Sequence, residues 1–282
     1  TSMAAPTVTG IGALILQEWM TLYPGEPLPR NSMLKVLLAH NAHDLGNTGP
    51  DYQYGYGSVR AQATIDFLRG GSFHEDALDN GEQKRFYVDV VPGTPSLKVT
   101  VAWDDPPGAA NTVPELVNNL DMTVVSPSGT TYYPWTLDPD NPSTPAVRTQ
   151  ADSVNNIEQV VVDAPESGVW HVVMNGTAVP LGPQTFSVAA SPYLISCSSQ
   201  GLVALSSATY GCSATAGITV NDCDLNLDPD GLDTLVVTVV STSEPVGENV
   251  LLTEEHPNAA NLTGSLPLST TDGPGVLLVA DG

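Results

Sequence analysis

Leu97-Lys98-Val99-Thr100-Val101-Ala102-Trp103 is the stretch that decides the fold. Its large apolar residues stand at every second position, and an extended chain sends alternate side chains to opposite faces. The stretch therefore reads as a half-buried strand. The same alternation lies upstream in Arg85-Phe86-Tyr87-Val88-Asp89-Val90. Downstream it returns in Leu120-Asp121-Met122-Thr123-Val124-Val125, where Ser126-Pro127-Ser128-Gly129 makes a turn. Gln159 to Val162, Gly168 to Met174 and Thr185 to Ala189 continue it. Six or more strands at this spacing predict a β-sandwich over residues 72–192. Residues 196–282 read as a further β unit, with strands at Thr215 to Val220 and Asp233 to Val240.

Only residues 1–70 look helical. A first helix is expected from Ser2 to Thr21, where Tyr23-Pro24-Gly25-Glu26-Pro27 stops it. A second is expected from Ser32 to Ala42. A third runs from Ser58, as N-cap, to Leu68, before Gly70-Gly71 breaks the chain.

Thr1-Ser2-Met3-Ala4-Ala5-Pro6 leads into this first helix. A hydroxyl at a helix N-terminus meets free N–H groups and the positive end of the helix dipole. That is where an acyl-transfer enzyme stabilises a developing oxyanion, so Ser2 is the candidate nucleophile. The plainer alternative is a helix N-cap. His40 and His43 fall at a helix end and a loop start, and read as C-terminal cations or surface residues. A Ser…Asp…His order would go with Gly-x-Ser-x-Gly, which Met3 and Ala4 do not provide.

Thr-Ser-Met-Ala-Ala-Pro resembles the nucleophile motif of the subtilisin-like serine proteases, which usually carries a Gly just before the Thr. Pro29 to Ala42 resembles the next helix of that family. Gly49-Pro50-Asp51-Tyr52-Gln53-Tyr54-Gly55-Tyr56-Gly57-Ser58-Val59 resembles the glycine-rich loop that closes its catalytic domain. The resemblance implies that residues 1–70 are the C-terminal part of an α/β peptidase domain. The Asp and His of the triad, and most of the parallel sheet, would then lie upstream. On this reading the first helix should leave its apolar face open, and the chain alone should hydrolyse nothing. Val117 to Asp121, Asn155 to Val160 and Val179 to Phe186 resemble the jelly-roll domain that follows the catalytic domain in one large subtilase group. Residues 196–282 look like an incomplete Ig-like repeat of large secreted proteins. The implied fold is multidomain: a helical subtilisin remnant over 1–70, a jelly-roll sandwich over 72–192 and an Ig-like sandwich over 196–282.

Calcium takes six to eight oxygen ligands, and two segments supply oxygens densely. The first joins Asn119 and Asp121, two apart on one strand face, with Asp152, Asn155, Asn156 and Glu158. The resembling jelly-roll domains bind calcium in loops of this kind, which makes a structural Ca2+ the expected cofactor. The alternative is that the Asn pair makes a turn and Asp121 caps a strand end. In the second segment, Asp222 to Asp233, Asn226-x-Asp228-x-Asp230-Gly231 opens like an EF-hand. Position one is Asn, however, and Val237 stands where the bidentate Glu belongs, so it is not one. Trp103-Asp104-Asp105-Pro106-Pro107 could show an aromatic to a ligand, but Trp103 reads better as core.

Eight Lys+Arg against 31 Asp+Glu leave a net charge of −23. Such a field repels nucleic acid and anionic membranes, and suits hard cations or a saline habitat. No apolar run is long enough to span a bilayer. Cys197, Cys212 and Cys223 lack zinc-like spacing with His. Cys212–Cys223 is the favoured disulfide and Cys197–Cys212 the alternative. The expected parent is a secreted serine endopeptidase acting on protein or peptide substrates, its partner being the preceding part of its own peptidase domain. The competing expectation is a non-catalytic secreted array of calcium-binding β-modules for adhesion or spacing.

Overall fold

The computed structural model describes residues 2–110, 115–195, 202–207, 209–222, 225, 231–254 and 261–280. The chain forms two compact units, Thr1–Ser196 and Cys197–Gly282. The described residues are mostly β, with three helices. In the first unit these helices are α1 (Ala4–Leu22), α2 (Asn31–His40) and α3 (Ala61–Gly70). After them come β1 (Phe73–Leu78), β2 (Gln83–Val90), β3 (Ser96–Trp103), β4 (Asn119–Val125) and β5 (Thr131–Tyr132). The unit ends with β6 (Ile157–Asp163), β7 (Gly168–Ala178), β8 (Gln184–Ser191) and β9 (Leu194–Ile195).

The strands make two antiparallel sheets, ordered β1-β8-β3-β6 and β5-β4-β7-β2-β9. Their facing apolar residues, among them Trp103, Trp170, Phe86, Phe186, Met122 and Leu97, form one core. Trp103 and Trp170 are fully buried. Each side chain buried like this contributes roughly 1.5–3 kcal/mol or more. Both indoles also find acceptors: Trp103 Nε1 donates to Asn118 O at 3.0 Å and Trp170 Nε1 to Glu166 O at 2.9 Å.

β3 departs from the half-buried expectation. From Val99 to Trp103 it is buried on both faces, because α2 covers the outer one. Val36 of α2 meets Ala102 and Ala189, small residues that let the helix approach closely. Polar bonds line the same seam. Ser32 Oγ and Ser187 Oγ are 2.8 Å apart, the Ser32 N–H donates to Asp104 at 3.2 Å, and the Arg30 N–H donates to Glu75 at 3.0 Å.

His40 closes the seam. Far from being a surface cation, it is buried, with Nδ1 3.0 Å from Thr100 Oγ1 and Nε2 2.9 Å from Ser191 Oγ. Gln159 Nε2 donates to the same Thr100 hydroxyl at 2.9 Å. That leaves the hydroxyl proton for Nδ1, an arrangement that suits a neutral ring protonated at Nε2. Burial, with help from the nearby Lys98 charge, pushes the His40 pKa down to about 3. His43 sits at the surface, where its backbone bridges Ser58.

Two helix starts differ from expectation. α1 begins at Ala4, with Met3 at the N-cap position and no side-chain cap. α3 begins at Ala61, because Ser58 is already paired to His43. α1 buries only Ile15 completely and exposes Val8, Leu14, Met20 and Leu22.

In the second unit, β10 (Leu202–Leu205), β11 (Thr215–Asn221), β12 (Thr234–Val239), β13 (Glu248–Glu254), β14 (Asn261–Ser269) and β15 (Leu277–Leu278) form one sheet. Its order is β10-β11-β14-β13-β12, with β15 parallel to β14. Ile218, Val220, Val250, Leu252, Leu262, Leu266 and Leu277 make its core. Cys197, Cys223 and residues 226–230 lie outside the described residues, and with them both disulfide pairings and the EF-hand-like stretch.

Candidate functional site

Ser2 lies in an exposed turn two residues before α1. It therefore does not cap the helix; it stands just ahead of the free N–H groups of the first turn. Pro6 falls within that turn, where the missing N–H costs no helical hydrogen bond. Both ring nitrogens of His40 are taken up at the seam, and His74 and His171 pack against Phe86 and Tyr87. His256 lies outside the described residues.

The six expected metal-binding residues divide into two groups. Asp152 and Asn155 close on each other. Asp152 Oδ1 accepts the N–H groups of Val154 and Asn155 at 2.9 and 3.2 Å, and Oδ2 accepts Asn155 Nδ2 at 2.8 Å. These bonds fold residues 152–155 into a turn. Asn156 Nδ2 donates to Trp103 O at 2.9 Å and fastens the start of β6 to β3.

Asn119, Asp121 and Glu158 behave differently. Asn119 Oδ1, Asp121 Oδ1 and Glu158 Oε1 are all buried, and none has a hydrogen-bond partner. Their other polar atoms are engaged. Glu158 Oε2 accepts the Met122 N–H at 2.8 Å, across the two sheets. Asp121 Oδ2 accepts from the Thr177 hydroxyl and from Asn119 Nδ2. Burial holds the Glu158 carboxyl well above the usual carboxylate range; the Met122 N–H opposes this, and the Asp121 and Asp152 charges reinforce it. Unsatisfied buried acceptors are costly. Two carboxylates and an amide oxygen are what a hard cation would satisfy. Among the described residues no three His, Cys, Asp or Glu side chains group to hold a metal by themselves; Asn119 contributes an amide oxygen besides the two carboxylates.

Tyr56 reaches this region from the glycine-rich loop. Its hydroxyl donates to Ile157 O at 3.4 Å. Its pKa is raised, first by burial and then by the charges of Asp152 and Glu158. Sequence reasoning quoted Tyr56 only as part of the loop, and did not single out Thr177. The Asn119–Asp121 register on β7, with its irregularity at that point, brings the Thr177 hydroxyl to Asp121; no local pattern reveals it.

The Subtilase family model matches residues 1–57. The stretch includes Ser2, α1, α2 and most of the glycine-rich loop. Two Dictyostelium discoideum proteins are similar over a longer span. Serine protease/ABC transporter B family protein tagB is 23% identical over 66% of this chain and 13% of its own length. The corresponding tagD protein is 24% identical over 66% of this chain and 14% of its own. The chain thus spans about an eighth of these relatives. Among solved structures, a Bacillus licheniformis lipase in propeptide form aligns with a TM-score of 0.26 at 8% identity, over 68% of this chain and 43% of that one. A likeness that slight informs neither fold nor function.

Proposed function

We propose that this chain is the C-terminal part of a subtilisin-like serine endopeptidase, with Ser2 as nucleophile. The observation that carries this reading is the match of residues 1–57 to the Subtilase family, which begins at the Ser2 motif. The exposed position of Ser2 ahead of α1 supports it. A His and an Asp from a preceding part of the peptidase domain complete the triad. The His takes the Ser2 hydroxyl proton, and Oγ attacks the scissile carbonyl of a protein or peptide substrate. The Ser2 N–H donates to the oxyanion, and water then cleaves the acyl-enzyme. The same preceding part covers the open apolar face of α1, since exposed patches of that kind usually mark a contact.

The sandwich takes the jelly-roll role, and the second unit that of an Ig-like repeat, in a secreted protein. Asn119, Asp121 and Glu158 hold a structural Ca2+, which supplies the positive charge that their buried oxygens lack. The orphaned oxygens support this assignment.

The test is a fluorophosphonate label applied to the protein expressed together with its upstream residues. Labelling at Ser2, abolished in Ser2→Ala, is the expected result. No labelling at Ser2, with an upstream sequence lacking both His and Asp of a triad, would leave the competing reading of a β-module array.

A further inference from the structure

We propose that cation loading at Asn119, Asp121 and Glu158 is coupled through Tyr56 to the order of the 44–58 loop. The proposal rests on the calcium reading above and adds what the site controls. The loop is closed on itself. Asp51 accepts the N–H groups of Asn47, Gln53 and Tyr54 at 3.0, 2.8 and 2.7 Å. The backbone bridge His43–Ser58 seals its ends, and the bridge Asp51–Gly55 closes a turn within it. It therefore moves as a piece, and what it rests on decides how firmly it is held.

It rests on β6 and its approach. The Tyr56 hydroxyl donates to Ile157 O. Gly49 lies against the ring of Trp135, and the Trp135 backbone N–H donates to Gln159 O at 2.9 Å. Ile157 is the link. On one side of it Asn156 is tied to Trp103. On the other, Glu158 reaches inward to Met122 beside the unpartnered Asp121 oxygen. With no cation, two carboxylates crowd a buried space and work against a fixed β6 start. A bound cation draws them together, fixes Glu158, and so fixes the carbonyl that Tyr56 grips. Coupling of this kind needs a shared element whose arrangement both sites bias; here it is residues 156–158.

The loop carries its own reporters, because Tyr52 and Tyr54 are half exposed, at 51% and 45%. Chymotrypsin cutting at these tyrosines, followed by mass spectrometry on the 282-residue chain, reads loop order in calcium and in EDTA. Calorimetry reads calcium binding separately. In the wild type, calcium is expected to slow loop cleavage by about tenfold. In Tyr56→Phe, calcium should still bind, more weakly by no more than that same factor, while loop cleavage ignores it. Glu158→Gln should abolish both binding and protection. If the wild type binds no calcium, the site assignment fails and takes the coupling with it. If calcium binds but the loop is cut at the same rate, or Tyr56→Phe keeps its protection, the site stands and the coupling is overturned.

Discussion

Acid should loosen the seam between α2 and the sandwich, and the size of the effect follows from His40. In the unfolded chain a histidine takes up its proton near pH 6.5; in the folded protein His40 does so only at about 3. A pKa lowered by folding means that the unfolded state binds more protons. The stability from His40 is therefore complete above pH 6.5 and is lost as pH falls toward 3. The folding equilibrium shifts by nearly tenfold per pH unit well inside that window and by less at its upper edge, so from pH 6.5 to 4.5 the loss is about 50-fold, or about 2 kcal/mol. All four tryptophans belong to the first unit, so urea unfolding followed by tryptophan fluorescence reports that unit alone. His40→Asn supplies the control. It should be less stable at pH 7, because Thr100 and Ser191 lose partners, yet less sensitive to acid. Titrations common to both proteins cancel in the difference. Equal loss of stability in the two between pH 6.5 and 4.5 would refute a buried neutral imidazole.

Glu158 works in the opposite direction. Its raised pKa gives stability that is present in acid and lost as pH rises, so in EDTA at pH 8 Glu158→Gln should unfold at higher urea than the wild type. Calcium at a hundred times its Kd should add about 3 kcal/mol to the wild type and nothing to that variant, as measured by the same unfolding curves. Gly57 has φ +106°, and a Cβ there would stand 2.1 Å from His43 O; Gly57→Ala should cost about 1–3 kcal/mol in urea and speed chymotrypsin cutting at Tyr52. The net charge of −23 is spread over few cations, so raising salt until the Debye length falls from about 30 to about 3 Å should raise the melting temperature. A melting temperature indifferent to salt would mean that the repulsion is already balanced.

Much of the first unit was legible because its strands alternate. The expected strands at 85–90, 97–103, 120–125, 159–162, 168–174 and 185–189 all lie within observed ones. β1 escaped notice because Phe73-His74-Glu75-Asp76-Ala77-Leu78 mixes charge with apolar residues, and its pairing with β8 is a long-range fact. The helices were readable from their punctuation, though Ser58 misled: a good capping residue was already committed to a bridge. His40 could not be read, since nothing local tells a surface helix end from one sealed by Thr100 and Ser191, 60 and 151 residues away. For the oxygen-rich cluster, the residue types were visible, but only the fold separates Asp152 and Asn155, which satisfy each other, from Asn119, Asp121 and Glu158, which do not.

Ala102 and Ala189 beneath Val36 carry a practical consequence. The glycine pair at 70–71 looks like a natural place to cut, yet the sandwich beyond it owns a face finished by somebody else. Released from α2, that face would show shallow alanines and the stranded hydroxyls of Thr100, Ser187 and Ser191, shaped to receive a helix and ready to adhere to whatever arrives in its stead.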